Sequence, residues 1–221
     1  MRFWIEKERR LQTNVFDDII KKEREYVMNK REVFYDEIMN IKNKHYQEVA
    51  LKLVDALPDY FFHEAAASTG KYHPKYAQGD GGLLRHTKAA VRFAVELLGD
   101  PLIGDKYTAR EKDLMLIALI MHDGFKRGVK EEKYTRIDHP LISANYIMEH
   151  KDNLGLVEED ALFLKNVISS HMGIWNKDYD GNEVLPVPKT KWENFVHMCD
   201  YLASRKCIQF SFDQNNNIIE E

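Results

Sequence analysis

Eight consecutive apolar residues, 114–121, stand directly before His122 and Asp123. Thr108 and Glu111 upstream form a capping-box pattern, which starts α-helices because both side chains satisfy free backbone N–H groups. A run this short cannot span a membrane, so it predicts a helix buried in the core of a globular protein. An aspartate at the end of such a helix is costly unless it is paired or bound to a cation. This stretch therefore predicts a compensated carboxylate inside the fold.

The rest of the chain also predicts helices. All six prolines and all eleven glycines lie at or after Pro58, so residues 1–57 contain no strong helix breaker. Apolar residues recur there at steps of three or four, which predicts a charged amphipathic helical arm. The arm either packs on the core or forms a homodimer through its helix, and drifting apolar spacing favours packing. Further helices are predicted at about 83–98, 108–122, 138–150, 158–170 and 191–206.

We therefore predict an all-α fold in three parts. The arm covers residues 1–57, a helical bundle covers 58–207, and a tail covers 208–221. Alternation of apolar residues in the tail favours a small β-hairpin.

Composition excludes several classes of protein. With 44% hydrophobic and 31% charged residues, the chain is neither disordered nor collagen-like. The formal net charge of −4 gives no broad attraction to nucleic acid or to anionic membranes. Cys199 and Cys207 match neither a disulfide framework nor a metal knuckle. Charges interrupt the start of the chain before a signal-peptide core can form, so we expect a cytoplasmic protein with no membrane partner.

Four more side chains that can bind metals lie on other predicted helices. An isolated His-Asp pair is more often a core histidine beside a helix-end aspartate, but these neighbours favour a metal site built between helices. Mixed imidazole and carboxylate ligands suit one or two divalent ions: Mn, Fe, Co, Zn, Ni or Mg. If Asp123 bridges two ions, the pair is suited to phosphoester cleavage. The additional candidate ligands are His86, His139, His171 and Asp200.

Several residues are candidates for substrate binding. Lys126, three residues after Asp123, can reach back to hold a phosphate, although a solvated lysine is the plainer alternative. His197, three residues before Asp200, could support the metal ligands. Loop residues could form a basic and aromatic rim, or could simply be exposed or anchor their loops. These are Lys71, His73, Arg85 and Trp175.

The motifs GGLLRHT, HDGFK and SSHMG, together with Asp200, resemble the HD superfamily of metal-dependent phosphohydrolases, an all-α fold. The resemblance spans roughly residues 57–206 and is nearest to the branch that contains HD-domain 3′ to 5′ exoribonucleases. It implies that His86, His122, Asp123 and Asp200 bind metal. It also implies that His139 and His171 are extra ligands or phosphate contacts, and that Lys126 binds phosphate.

The chain departs from that branch in two motifs. HDGFK replaces HDIGK but keeps the lysine register, and Met172 stands where SHHG has a second histidine, so we expect one strong and one conditional metal site. No β-rich oligonucleotide-binding domain precedes the bundle.

The sequence thus predicts an enzyme that hydrolyses a phosphoester of a nucleotide, or of a nucleic-acid 3′ end, through a metal-activated hydroxide. Asp123 and Lys126 are its predicted catalytic residues. Two alternatives stay open: a one-metal nucleoside phosphate phosphohydrolase and a non-catalytic protein that senses a nucleotide.

Overall fold

A computed structural model describes residues 30–67 and 73–220. Across these ranges the structure is helical, which confirms the all-α prediction, and it contains no strand. The α-helices are α1 (Tyr35–Met39), α2 (Lys44–Asp55), α3 (Gly82–Gly99), α4 (Pro101–Gly104), α5 (Ala109–Met121), α6 (His139–Leu154), α7 (Glu158–Ser169) and α8 (Lys191–Ala203). Short 3₁₀ helices cover Asp59–Phe62 and Lys75–Ala77.

The predicted terminal hairpin is reduced to one antiparallel bridge, between Phe212 and Ile218. A second isolated bridge joins Lys177 and Glu183 in the loop before α8. Neither pair extends into a ladder, so the described tail crosses the helices without forming a sheet.

Helix α5 lies at the centre of the molecule. Every residue from Asp113 to Met121 is buried, and the helix packs against α2, α3, α7 and α8. The predicted capping box is present: the Thr108 hydroxyl accepts from the Glu111 N–H, and the Glu111 carboxylate accepts from the Thr108 N–H. The apolar run is buried on all sides, and the helix delivers His122 and Asp123 to the interior.

The described part of the predicted arm packs on this core. Phe34, Ile38 and Ile41 are fully buried. The Asp113 carboxylate accepts hydrogen bonds from the N–H groups of Lys42 and Asn43, which ties the turn before α2 to α5. Residues 1–29, which make up the rest of the arm, lie outside the described residues.

Two glycines set the start of α3. Gly81 has φ +69°, in the left-handed region that favours glycine. A Cβ on Gly82 would lie 2.5 Å from the Ala77 carbonyl oxygen, so the chain approaches closely there. This turn fixes the first residues of α3, and His86 lies one turn further along the helix.

No helix in ranges 30–67 and 73–220 has both the length and the apolar character needed to cross a membrane.

Candidate metal centre

Six sequence-predicted ligands meet inside the helical bundle. His86 comes from α3, His122 and Asp123 from the end of α5, and His139 from the start of α6. His171 follows α7, and Asp200 lies on α8. We call this group the His/Asp centre. The side chain of Asp200 is 17% exposed, whereas those of the other five are at most 3% exposed.

The ligand atoms form two adjoining groups that share His122. On one side, Asp200 Oδ1 lies 2.9 Å from His86 Nε2 and 3.5 Å from His122 Nε2. On the other, Asp123 Oδ2 lies 3.7 Å from His122 Nε2. Ligand atoms bound to one ion lie roughly 3 Å apart, since each is about 2 Å from the ion. The ligand atoms of each group all lie within 4.8 Å of one another, so each group could close around a cation.

His139 and His171 face the second carboxylate oxygen of Asp123. Asp123 Oδ1 lies 2.8 Å from His139 Nε2 and 3.7 Å from His171 Nε2. Although the first distance is short, neither atom of that pair makes a hydrogen bond of acceptable geometry. A buried acceptor and a buried ring nitrogen are thus turned towards one space without satisfying each other, as expected of ligands that share a cation.

Backbone carbonyls fix the tautomers of three histidines. The Nδ1–H groups of His122, His139 and His171 donate to the carbonyls of residues 119, 136 and 168, at 2.6, 2.6 and 2.8 Å respectively. A carbonyl can only accept, so Nδ1 carries the proton and the neutral ring presents the Nε2 lone pair to the centre. This arrangement is typical of metal-binding histidines.

The two carboxylates are ionised despite their burial. Burial raises the pKa of Asp123, but the charges of Lys126 and His122 outweigh it and hold the pKa well below its usual range. Burial acts on Asp200 in the same way, and hydrogen bonds from His122 and His86 hold its pKa well below normal. The centre therefore holds two ionised carboxylates that can act as ligands for a cation.

The surroundings shift the pKa values of His122 and His139 in opposite directions. Burial lowers the pKa of His122, but the charge of Asp123 and the hydrogen bond and charge of Asp200 outweigh it, so the pKa is raised. For His139, burial prevails over the contact with Asp123 and the pKa is lowered. In the absence of a metal ion, protonation is therefore favoured at His122 and disfavoured at His139.

Lys126 reaches back to the centre as its spacing predicts. Its Nζ lies 2.5 Å from Asp123 Oδ2, and its side chain is 13% exposed. The amine is thus close enough to contact a phosphate bound at the centre, and it also contributes positive charge beside Asp123.

The other predicted substrate-binding residues have different surroundings. The His73 ring lies 5.2 Å from that of His86 with an unpartnered buried Nδ1, and burial lowers its pKa to about 3. The Arg85 guanidinium is engaged by Asn216 and by the carbonyls of Tyr76, Gln78 and Asp80. Trp175 is 47% exposed, and Lys71 lies outside the described residues.

His197 lies beside the centre. Its Nδ1–H donates to the backbone carbonyl of His171 at 2.6 Å, and its supporting role stays a prediction. Tyr201 and Arg205, which lie beside Trp175, were not singled out in the sequence. The position of Tyr201, directly after a predicted metal ligand, was the one available signal.

No family model, curated protein or solved structure matches this chain. Function is therefore inferred from the side chains that meet at the His/Asp centre. Their donors could hold one or two divalent cations beside the cationic Lys126.

Proposed function

We propose that this protein is a divalent-metal-dependent phosphohydrolase of the HD type, acting on a phosphoester of a nucleotide or of a nucleic-acid 3′ end. The observation that carries the proposal is the convergence of all six predicted ligands, with facing ligand atoms 2.8 to 3.9 Å apart. A purely structural cluster would not need three histidines whose Nε2 lone pairs are all turned inward.

The two ligand groups suggest how ions would be held. His86, His122 and Asp200 would bind one ion. If His122 is used there, Asp123 and His171 of the second group would bind the other ion together with His139, which faces Asp123 Oδ1, and Asp123 Oδ2 would lie near the first ion as well. Such ions supply an activated water and neutralise the charge that grows on the phosphoryl oxygens. If only the first group holds its ion firmly, the one-metal form of the reaction applies.

The protein side chains contribute orientation and charge. The hydrogen bonds from the imidazole Nδ1 atoms hold three rings in fixed tautomers. Lys126 would exchange its contact with Asp123 for a contact with a substrate phosphate, since a primary ammonium is a compact donor to phosphate oxygens. Asp200 is the most exposed ligand, so substrate would enter from its side.

The test joins metal analysis to hydrolysis. The purified chain is analysed for bound metal and then assayed with Mn²⁺, Zn²⁺ or Mg²⁺ against nucleoside mono- and triphosphates, cyclic dinucleotides, and short RNA and DNA. We expect bound transition metal and hydrolysis of at least one of these esters. Asp123→Asn keeps the shape but removes the charge, so turnover should be abolished while the protein stays folded.

Asp160→Asn is the matched control. Asp160 is also a buried carboxylate, but it pairs with Arg110 and with the Tyr46 hydroxyl away from the centre. This variant should lose stability and keep both metal and turnover. Full activity in Asp123→Asn, or a wild-type protein that neither binds metal nor cleaves any ester, would refute the proposal. Nucleotide binding without turnover would support the sensing alternative instead.

A further inference from the structure

Two aromatic rings and an arginine form an exposed stack beside the His/Asp centre. Trp175 and Tyr201 lie nearly parallel, with ring centroids 5.8 Å apart and an angle of 15° between the planes. The Arg205 guanidinium lies 4.1 Å from the centroid of the Tyr201 ring and 5.9 Å from that of Trp175. We call these three residues the aromatic platform.

The surrounding protein leaves much of the platform exposed to solvent. Trp175 is 47% exposed and Tyr201 is 36% exposed, although large aromatic surface is favourably removed from water. In the described part of the chain, Arg205 pairs with no carboxylate; it donates to the Tyr201 carbonyl and to the Ser204 hydroxyl. The platform therefore presents open ring surface and a cation without an acidic partner.

Two connections link the platform to the His/Asp centre, one through Asp200 and one through His197. Tyr201 directly follows Asp200, the most exposed ligand. His197 donates to the His171 carbonyl, and its ring centroid lies 6.4 Å from that of Trp175 and 6.1 Å from that of Tyr201. The same two segments that supply His171 and Asp200 thus also supply the aromatic rings, and the His197 ring lies between His171 and both of them.

We infer that the aromatic platform binds the base of the substrate whose phosphoester lies at the His/Asp centre. This inference rests on the proposed function and makes it more specific, because it selects nucleoside-containing esters over sugar or lipid phosphoesters. Every nucleobase offers a flat π-face that stacks on exposed aromatic rings, and arginine adds a cation–π contact. Stacking on an aromatic ring does not distinguish one base from another, so the platform accepts different bases.

The test measures the platform without requiring hydrolysis. The full chain is labelled with 5-fluorotryptophan, and the ¹⁹F resonance of Trp175 is assigned by its absence in Trp175→Phe. Adenosine, which carries no phosphate, is titrated into the labelled protein, and ribose is titrated into a second sample as the control. We expect adenosine to shift the Trp175 resonance and ribose to leave it unchanged. A Trp175 resonance that adenosine does not move would overturn the inference, and its assignment needs only a folded Trp175→Phe, which replaces one half-exposed ring by another.

Substitutions then measure the contribution of the rings. Trp175→Ala should weaken adenosine binding on the order of tenfold, as loss of one stacking partner does. Trp175→Phe keeps a ring and should lose less. Tyr179→Ala is the matched control, because Tyr179 is a fully exposed ring in the same loop. An equal loss of affinity in Tyr179→Ala would show a general effect of the loop and contradict the platform.

The two proposals fail in different ways. If the platform is right and the phosphohydrolase is wrong, adenosine binds at Trp175 but no phosphoester is cleaved. If the reverse holds, esters are cleaved without any preference for a base. Tighter binding of a short adenylate oligonucleotide than of AMP would identify a nucleic-acid end as the source of the base, and the opposite order would identify a mononucleotide.

Discussion

Asp123 shows how a single side chain can carry several constraints. One oxygen lies beside Lys126 and the other beside His139, and the whole side chain is 3% exposed. Burial alone would favour the neutral acid, yet the charges of Lys126 and His122 keep the pKa well below its usual range. The residue thus stays charged at neutral pH.

Competition between protons and metal should follow from this balance. The pKa of His122 is raised above 6.5, and a protonated imidazole cannot bind a metal. Affinity for Mn²⁺ should therefore fall as the pH is lowered and should still be rising above pH 6.5. Calorimetric titration of Mn²⁺ across neutral pH measures this trend, and an affinity independent of pH would contradict it.

Tyr60 offers a second test at this scale. Its hydroxyl donates to the Gly128 carbonyl at 2.8 Å and accepts from the Arg127 N–H at 3.0 Å, just after Lys126. Burial raises its pKa from 10.0 to about 12, so the stability that it contributes is present below pH 10.0 and lost as the pH approaches 12. Tyr60→Phe should lose about 1–2 kcal/mol at neutral pH and decline less in alkali. Denaturant unfolding measures both effects, and Tyr134→Phe, on an exposed ring, should change neither.

At the scale of elements, the turn after α7 connects His171 of the metal centre to the loop that carries Trp175. Gly173 has φ +61°, and a Cβ there would lie 2.3 Å from the His197 ring. Gly181 in the same loop has φ +85°, but its Cβ would meet open space. Substitution of Gly181 would therefore test backbone strain alone, whereas substitution of Gly173 would add a clash with His197.

Substitution of these glycines should have unequal effects. Gly181→Ala should cost about 1 kcal/mol, from the left-handed backbone alone. Gly173→Ala should cost about 2–4 kcal/mol, because the added methyl also displaces His197. It should weaken metal binding too, since His197 holds the His171 carbonyl. Urea unfolding and Mn²⁺ titration of both variants test this difference, and equal effects would argue against a supporting role for His197.

The helices and the candidate ligands are easier to predict from the sequence than the hydrogen-bond partners of those ligands. The capping box and the apolar run predict α5 to within a residue at each end, because both signals are local. Histidines and aspartates on separate predicted helices identify the six candidate ligands, since such groups require compensation when they are buried. Their backbone acceptors are not predictable, because they depend on the turn that each helix end adopts.

Contacts between distant segments account for what the sequence could not predict. Arg85 was expected near a phosphate, but its guanidinium contacts Asn216, a tail residue far away in the chain. The tail alternates in the manner of a strand, and Phe210 and Phe212 share one face by packing on Tyr76, but only a single bridge forms because the tail packs on helices instead of pairing with itself. Local periodicity cannot reveal such tertiary packing.

At the scale of the molecule, the tail packs along α3 and the 3₁₀ helix that precedes it. Phe210 also contacts Phe93 on α3, and Asn217 accepts from the buried Lys88 amine. Phe210→Ala should therefore cost about 2 kcal/mol, since the ring is partly buried, and Ile219→Ala, on an exposed side chain, should cost much less. Chemical unfolding measures both variants. A Phe210→Ala protein as stable as the wild type would show that the tail contributes little to the fold.

A cation at the His/Asp centre should stabilise the molecule as a unit. The ligands come from α3, α8 and the ends of α5, α6 and α7, so one or two ions would link five helices that are remote in the chain. Binding to the native state alone adds about 2.7 kcal/mol at a hundredfold excess of metal over Kd. For a chain of this size, that corresponds to a rise in Tm of roughly 5–10 °C.

Calorimetric scans with Mn²⁺ and with a chelator measure this shift. Asp123→Asn should lose most of it, because the carboxylate that faces all four histidines of the centre loses its charge. Asp160→Asn should melt at a lower temperature and yet keep the full Mn²⁺ shift, since its carboxylate stabilises α5 and α7 without facing the centre. The decisive quantity is thus the difference between the metal and chelator scans rather than the Tm of either. Equal shifts in the two variants would mean that the metal binds elsewhere on the protein.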